Sequence, residues 1–381
     1  MSFSARIAAE LRGDRVVWAI LVLLALCSIL AVYSSTGSLA YKERGGHTEA
    51  FLFKHGIIMI GGLVITYFAH LLHYMRYSKW APVLLPIAVI LLFYTVFLGE
   101  DINNARRWIA LPVVGITFQT SDFAKLALVI FVARAISSKQ EYIKDFKSAF
   151  LPIIVPIVLV CGLIAPADLS TAIILFFSCV LMMFVGRVAV KYIGLLLVSG
   201  LVVFALLIML GRQFPDYVRV STWENRLQRF VAPDADHKDT YQIDQAQIAI
   251  ANGGWIGKGP GNSTQRNYLP APYSDFIYSI ICEEYGLLGG GVMIGLYLLL
   301  FFRVTKLVTK SPKAFGAMVA LGLSLILVVQ AFFHIAINVN LLPVTGLTLP
   351  LVSMGGTSLL FSCISFGIIL SVSKYIESVN E

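Results

Sequence analysis

Long apolar stretches alternate along this chain with short polar connections. Ten apolar runs stand out: Val16–Tyr33, Ile57–Leu72, Ala81–Leu98, Phe123–Ile136, Phe150–Ala165, Leu169–Val185, Ile193–Leu210, Phe276–Phe302, Ala314–Ile337 and Leu359–Ile376. A helix needs roughly 20 apolar residues to cross a hydrocarbon core, and these runs approach that length. The first follows Arg6, Arg12 and Arg15 and lacks a small-residue cleavage site, so it reads as an uncleaved span. The pattern predicts an all-α integral membrane protein of about ten transmembrane helices, a single domain over 1–381 with no internal repeat. The long polar interruption, 211–274, falls between the seventh and eighth runs, and loops of that length usually carry function. Inside it, Tyr241–Ala251 predicts a helix lying on the bilayer through Ile243, Ala246 and Ile250, stopped by Gly253 and Gly254.

Composition supports the membrane class. Hydrophobic residues make up 58% of 381 positions, charged residues 13%, and the mean hydropathy is +0.83. That balance excludes an ordinary soluble globule. Lysines and arginines gather in alternate connections, at Arg76, Lys79, Lys139, Lys144, Lys147, Arg187, Lys191, Arg303, Lys306, Lys310 and Lys313. The other short connections hold only Lys42, Arg44, Lys54, Arg106 and Arg107. The positive-inside rule then predicts an N-in, C-in bundle with 211–274 outside. The net charge of +8 is mostly this bias, and no basic stripe with interleaved aromatics suggests nucleic acid. The five cysteines all fall in apolar runs without ligand spacing and read as small core residues.

Polar side chains that interrupt this pattern on the predicted outer side are the candidates for chemistry. Asp275 sits where the long loop meets an apolar run, and an ionisable group at membrane depth is by default a functional candidate. The bland alternative is a helix cap, a position both Ser and Asp favour. Asp122 and Lys125 are three apart and share one helix face, either as a self-neutralising pair or as part of an anion site with Arg106. Gly257-Lys-Gly-Pro-Gly-Asn-Ser263 could bring backbone N–H groups, Lys258 and Ser263 to a phosphate, although a flexible loop gives the same pattern. Glu283 and Glu284 read as internal pairing partners, and Asp168 as a cap. The Pro/Gly-broken segment Leu341–Ser358 is tolerable at membrane depth only inside protein or against a cavity.

These motifs together resemble the SEDS family, the bacterial shape, elongation, division and sporulation proteins that include FtsW and RodA. The resemblance spans nearly the whole chain. It rests on Ala105-Arg-Arg-Trp108, Gln119-Thr-Ser-Asp-Phe-Ala-Lys125, Ala167-Asp-Leu-Ser-Thr171, Gln247-Ile-Ala-Ile-Ala-Asn-Gly-Gly254, Leu269-Pro through Ile277, Glu283-Glu-Tyr-Gly286, and Pro343-Val-Thr-Gly through Gly356. It implies a peptidoglycan glycosyltransferase that polymerises lipid II on the outer face of the bacterial cytoplasmic membrane. It also implies a class B penicillin-binding protein as partner, with other division or elongation proteins. The essential acidic residue of the family maps onto Asp275, and its basic residues onto Arg106 and Lys125. The chain departs from the family at Asp122 (usually Glu), Thr120 (usually Pro), Met354 (often aromatic) and His334 (often Asn). The Gly257–Ser263 segment resembles the division branch (FtsW) more than the elongation branch (RodA).

The expected chemistry assigns Asp275 as base, and Arg106, Lys125, Asp122, Lys258 and Ser263 to the substrate. A divalent cation, Mg²⁺ or Mn²⁺, could bridge pyrophosphate and carboxylate, without a ligand cluster to demonstrate it. Two other functions remain open at this stage. A lipid II flippase needs a polar path through the whole bilayer, and a non-catalytic division scaffold does not require these charges to converge.

Overall fold

The computed structural model describes residues 12–37, 48–102, 105–111, 116–213, 220–231 and 238–380. Twelve helices account for most of them: α1 (Arg15–Ser35), α2 (Thr48–Leu71), α3 (Met75–Leu98), α4 (Thr120–Ser138), α5 (Leu151–Ile164), α6 (Leu169–Val185), α7 (Val190–Gln213), α8 (Val220–Val231), α9 (Lys238–Gly253), α10 (Ile277–Lys310), α11 (Ala314–Asn338) and α12 (Gly356–Asn380). All ten predicted apolar runs fall on helices. Among the described residues eight helices are long and apolar enough to cross a membrane. Of the other two, α6 is apolar but has 17 residues, and α4 carries Asp122, Lys125 and Arg134.

Interhelical contacts depend on small residues, as expected where lipid tails offer no hydrophobic drive for association. Gly62 of α2 faces Leu359 and Cys363 of α12, and Gly367 of α12 faces Thr66 and Ala69. The Thr66 hydroxyl donates to the Cys363 carbonyl across that seam at 2.9 Å. Most of α11 and α12 is buried, so these two helices form the centre of the bundle. By contrast α7 turns Leu197, Val198, Leu201 and Val202 outward, as a lipid-facing helix does.

Two features were not read from sequence. Between α3 and α4 the chain forms an antiparallel meander of β1 (Glu100–Ile102), β2 (Ala105–Leu111) and β3 (Ile116–Gln119). Trp108 pairs with Gln119 and Ile109 with Phe118. The second is the placement of α9. It was expected on the bilayer surface and instead packs on α10. Ala246 and Ala249 are fully buried, and a Cβ on Gly253 would lie 1.9 Å from the Cys282 carbonyl oxygen. That stripe of small residues permits a closer approach than a lipid-lying helix would need.

Helix α10 is broken at Gly286, whose φ of 68° and ψ of −171° are open essentially to glycine alone. The loop after α9 docks into the break. Leu287 N donates to the Gly254 carbonyl at 2.9 Å and Leu288 N to that of Trp255 at 3.2 Å. In return Lys258 N and Gly259 N donate to the carbonyls of Glu283 and Glu284 at 3.0 and 2.9 Å. The backbone groups freed by the break are thereby paired rather than left orphaned. A Cβ on Gly286 would sit 2.3 Å from the Trp255 carbonyl oxygen. Gly286→Ala is therefore expected to destabilise the protein by about 3 kcal/mol or more. Gly295→Ala, lower in α10 with open space around it, should be neutral or slightly stabilising. Thermal unfolding in detergent compares the two.

Candidate active site

Four helices begin around one cavity. Its wall includes Gln119 and Asp122 at the start of α4, Asp168–Thr171 at the start of α6, Ser274 and Asp275 ahead of α10, and Gly355, Gly356 and Ser358 at the start of α12. The volume is about 940 Å³. Helix N-termini carry unsatisfied N–H groups and the positive end of the helix dipole, so four of them bias the space toward an anion. Trp108 and Thr117 of the meander close one side, and Thr222–Glu224, Arg226 and Leu227 of α8 close another.

Lys125 and Asp122 form the predicted pair at 2.9 Å, one turn into α4, both buried. The pair leans on the cavity wall. Asp122 Oδ2 is buried without a hydrogen-bond partner. The Lys125 ammonium also donates to Gln330 Oε1 of α11 at 3.2 Å. Arg106 lies on β2, its backbone opposite Asp101 and two positions before the cavity residue Trp108. The side chain of Arg106 lies outside the described residues.

Asp275 is half-buried and borders the same cavity. The cap position of α10 is Phe276 rather than Asp275, and the Phe276 side chain makes no capping bond. Instead the Ser274 hydroxyl donates to Asp275 Oδ1 at 2.9 Å. Gly346, with φ of +74°, passes so close that a Cβ would lie 3.5 Å from Asp275 Oδ2. Asn338, the last residue of α11, holds the backbone here. Its Nδ2 donates to the Asp275 carbonyl at 3.1 Å, and its Oδ1 accepts from Ser279 N and Oγ at 3.2 and 2.7 Å.

The broken segment between α11 and α12 lies against this site, with Pro343–Thr348 and Met354–Gly356 on the cavity wall. Side chains from surrounding helices cap its backbone. Gln330 Nε2 donates to the Thr348 carbonyl at 2.9 Å, Tyr297 to that of Pro350 at 2.6 Å, and Ser28 to that of Val352 at 2.8 Å. His334 Nδ1 lies 2.7 Å from the Leu347 carbonyl oxygen. Ser353 ties the segment to the Asp275 loop by donating to the Ser274 carbonyl at 2.7 Å, and Met354 N donates to that of Tyr273 at 2.9 Å. Asp168 caps α6 by accepting from Thr171 N at 3.1 Å, as expected.

Lys258 and Ser263 lie apart from these residues. Neither borders the cavity; both bind Glu283, which is fully buried in the upper part of α10. Lys258 Nζ donates to Glu283 Oε1 at 2.8 Å and Ser263 Oγ to Oε2 at 2.5 Å. The Thr264 hydroxyl and N–H reach Oε1 at 2.9 and 3.2 Å, and Gln265 N reaches Oε2 at 3.2 Å. The glycine-rich loop does cradle an anion, but the anion is an internal carboxylate. A buried charge needs that many donors to offset its desolvation. The sequence reading of Glu283 as an internal partner fits this arrangement.

The comparisons with known proteins follow the same outline. A family model for FtsW, RodA and SpoVE, described as a cell cycle protein, matches residues 14–378. The chain belongs to this family. A probable peptidoglycan glycosyltransferase FtsW of Geobacter sulfurreducens is 32% identical over 375 residues, covering 96% of each chain. The counterpart from Haemophilus influenzae is 32% identical over 370 residues, covering 94% of this chain and 90% of its own. A chain from a solved peptidoglycan synthase complex, described as coordinating polymerization and crosslinking, superposes with a TM-score of 0.72 at 25% identity, covering 96% of this chain and 98% of its own. The Thermus thermophilus rod shape determining protein RodA gives a TM-score of 0.66 at 24% identity, covering 95% of this chain and 96% of its own, and shares the fold.

Within this FtsW/RodA/SpoVE chain, several wall residues escaped the sequence reading. Trp223, Glu224 and Arg226 of α8 belong to the wall, and Trp223 stacks on Phe204 of α7 with centroids 6.1 Å apart. The spacing of Val220, Trp223 and Leu227 was the legible signal for that helix. Gln330 and Asn338 gave none, because a lone amide in or at the end of an apolar run has no periodicity. Among the described residues no group of three or more His, Cys, Asp or Glu side chains could hold a metal ion.

If Lys258 serves Glu283 rather than a substrate, Lys258→Met should keep most polymerase activity and lower stability by about 1 kcal/mol or less, since its side chain is 32% exposed. Glu283→Gln turns an amide toward groups that are all donors and should cost about 2–4 kcal/mol. Thermal midpoints and protease cleavage within 255–266 report both effects. Lost activity in a Lys258→Met protein of unchanged stability would return Lys258 to the substrate.

Proposed function

We propose that this chain is a peptidoglycan glycosyltransferase that extends glycan strands from lipid II. The observation that carries the reading is one cavity bordered by both Asp275 and the buried Lys125–Asp122 pair, beneath four helix N-termini. Glycosyl transfer needs a base for the acceptor hydroxyl and positive potential for the leaving group, and this space is bordered by a candidate for each. The names of the FtsW relatives support the same activity.

In this reading the Asp275 carboxylate takes the proton of the acceptor hydroxyl. The freed oxygen pair forms a bond to the anomeric carbon of the donor sugar, and the bond from that carbon to the pyrophosphate oxygen breaks. The electron pair leaves with undecaprenyl pyrophosphate, whose charge falls against Lys125, the helix N-termini and, through β2, Arg106. Asp122 anchors the Lys125 ammonium rather than touching the sugar. A preformed cationic wall needs no reorganisation as that charge develops.

The bundle is read as ten spans, N-in and C-in, in the bacterial cytoplasmic membrane with the cavity on its outer face. A class B penicillin-binding protein is the expected partner, in line with the synthase complex whose chain superposes on this one. The division role is favoured over elongation by the FtsW names. A flippase path is disfavoured because the polar wall belongs to helix starts gathered at one end of the bundle.

Asp275→Asn keeps size and hydrogen bonding and removes basicity. The variant is expected to fold with an unchanged thermal midpoint and to lose at least about a hundredfold in glycan polymerisation from lipid II. Robust polymer from the folded variant would move the base elsewhere. For orientation, a background without the five native cysteines receives Asn262→Cys or Lys310→Cys, both at exposed positions. Asn262→Cys should react with an impermeant maleimide in intact spheroplasts, and Lys310→Cys only after permeabilisation. The opposite pattern would place the cavity on the inner face.

A further inference from the structure

Gln330 lies well inside α11, is 5% exposed, and belongs to none of the motifs that mark the family resemblance. A buried amide must have both ends satisfied. Here the two ends reach two different walls of the cavity. Its Oε1 accepts from Lys125 Nζ at 3.2 Å. Its Nε2 donates to the Thr348 carbonyl at 2.9 Å and lies 3.4 Å from Thr348 Oγ1. Thr348 Oγ1 in turn lies 3.2 Å from Ser358 Oγ in the first turn of α12. The broken segment thus fixes the amide, and the fixed amide presents its oxygen to the ammonium.

An ammonium has three N–H donors at tetrahedral angles. In Lys125 one meets Asp122 at 2.9 Å and one meets Gln330. Two fixed directions determine the third, which is the donor left for a ligand in the cavity that Lys125 borders. Asp122 alone, on the same helix, would leave the ammonium free to rotate about a single contact. We infer that Gln330 is a positioning residue that holds the Lys125 ammonium in the orientation that binds the pyrophosphate of the lipid substrate, and that it couples this orientation to the broken segment through Thr348. The inference rests on Lys125 being the anion-binding cation of the proposed function.

The test uses the full-length protein in detergent, with undecaprenyl pyrophosphate as the binding probe and lipid II polymerisation as the activity. Gln330→Met keeps length and bulk but has no amide. A hydrogen bond to a charged group is strong enough that its loss should weaken undecaprenyl pyrophosphate binding about tenfold and lower kcat/KM by at least as much. In a Lys125→Ala background the same substitution should change binding less than about twofold, since coupled residues are not additive. Gln330→Glu keeps the acceptor but sets a negative charge against the ammonium, and should weaken binding at least as much as Gln330→Met. It also serves if Gln330→Met does not fold. An equal loss from Gln330→Met in both backgrounds would mean that Gln330 acts through the fold, which overturns the inference. Unchanged binding in Gln330→Met or Gln330→Glu, with binding lost in Lys125→Ala, overturns it while leaving the anion site standing. Parent-like binding and polymerisation in Lys125→Ala would remove the anion site, and the inference with it.

Discussion

Every peptide group at membrane depth needs a partner, because hydrocarbon offers none. Between α11 and α12 the chain gives up regular helix over residues 339–355, and the bundle is arranged around that departure. Ser28, Tyr297, Gln330 and His334 reach the segment from α1, α10 and α11 to satisfy its carbonyls. Leu351 is held at a φ of 65°, a conformation a leucine keeps only when its surroundings impose it. The return for this strain is irregular backbone beside Asp275, where a continuous helix would present only side chains.

The two carboxylate-bearing regions of α10 solve different problems. At its start, Asp275 keeps cavity access because Ser274, Asn338 and Gly346 fix it without enclosing it. Two turns further in, Glu283 is enclosed completely and serves as the post on which the loop from α9 is folded. A carboxylate borders the cavity in one place and is withdrawn from it in the other. Donor count and burial decide which.

The helices were legible because length and apolar continuity are properties of single segments. Leu169–Val185 was read to the residue, and Phe276–Phe302 began one residue early and stopped eight short of the helix end at Lys310. Asp275, Asp122 and Lys125 were legible for a related reason: a charge interrupting an apolar run is visible without knowing the fold. The meander at Glu100–Gln119 was not, since strands of three to seven residues depend on mutual pairing. The contacts of Lys258 and Ser263 with Glu283 were not legible, because a glycine-rich loop with a lysine looks the same whether its anion is a phosphate or a glutamate from a later helix. Gln330 and Asn338 become informative only when their partners are known.

The burial of α4 has a consequence for how the protein is made. Of its 19 residues 14 are buried, and it carries Asp122, Lys125 and Arg134. Asp122 and Lys125 stand in its first two turns, where a charge costs less than the about 2.5–3.5 kcal/mol of a mid-helix position on insertion scales. The Asp122–Lys125 pair reduces that cost, yet Lys125 gains its second partner only from α11, some 200 residues later in the chain. During synthesis α4 therefore leaves the translocon without the neighbour that completes its polar face. The polar face of α4 is therefore completed only once α11, in the C-terminal third of the chain, packs against it.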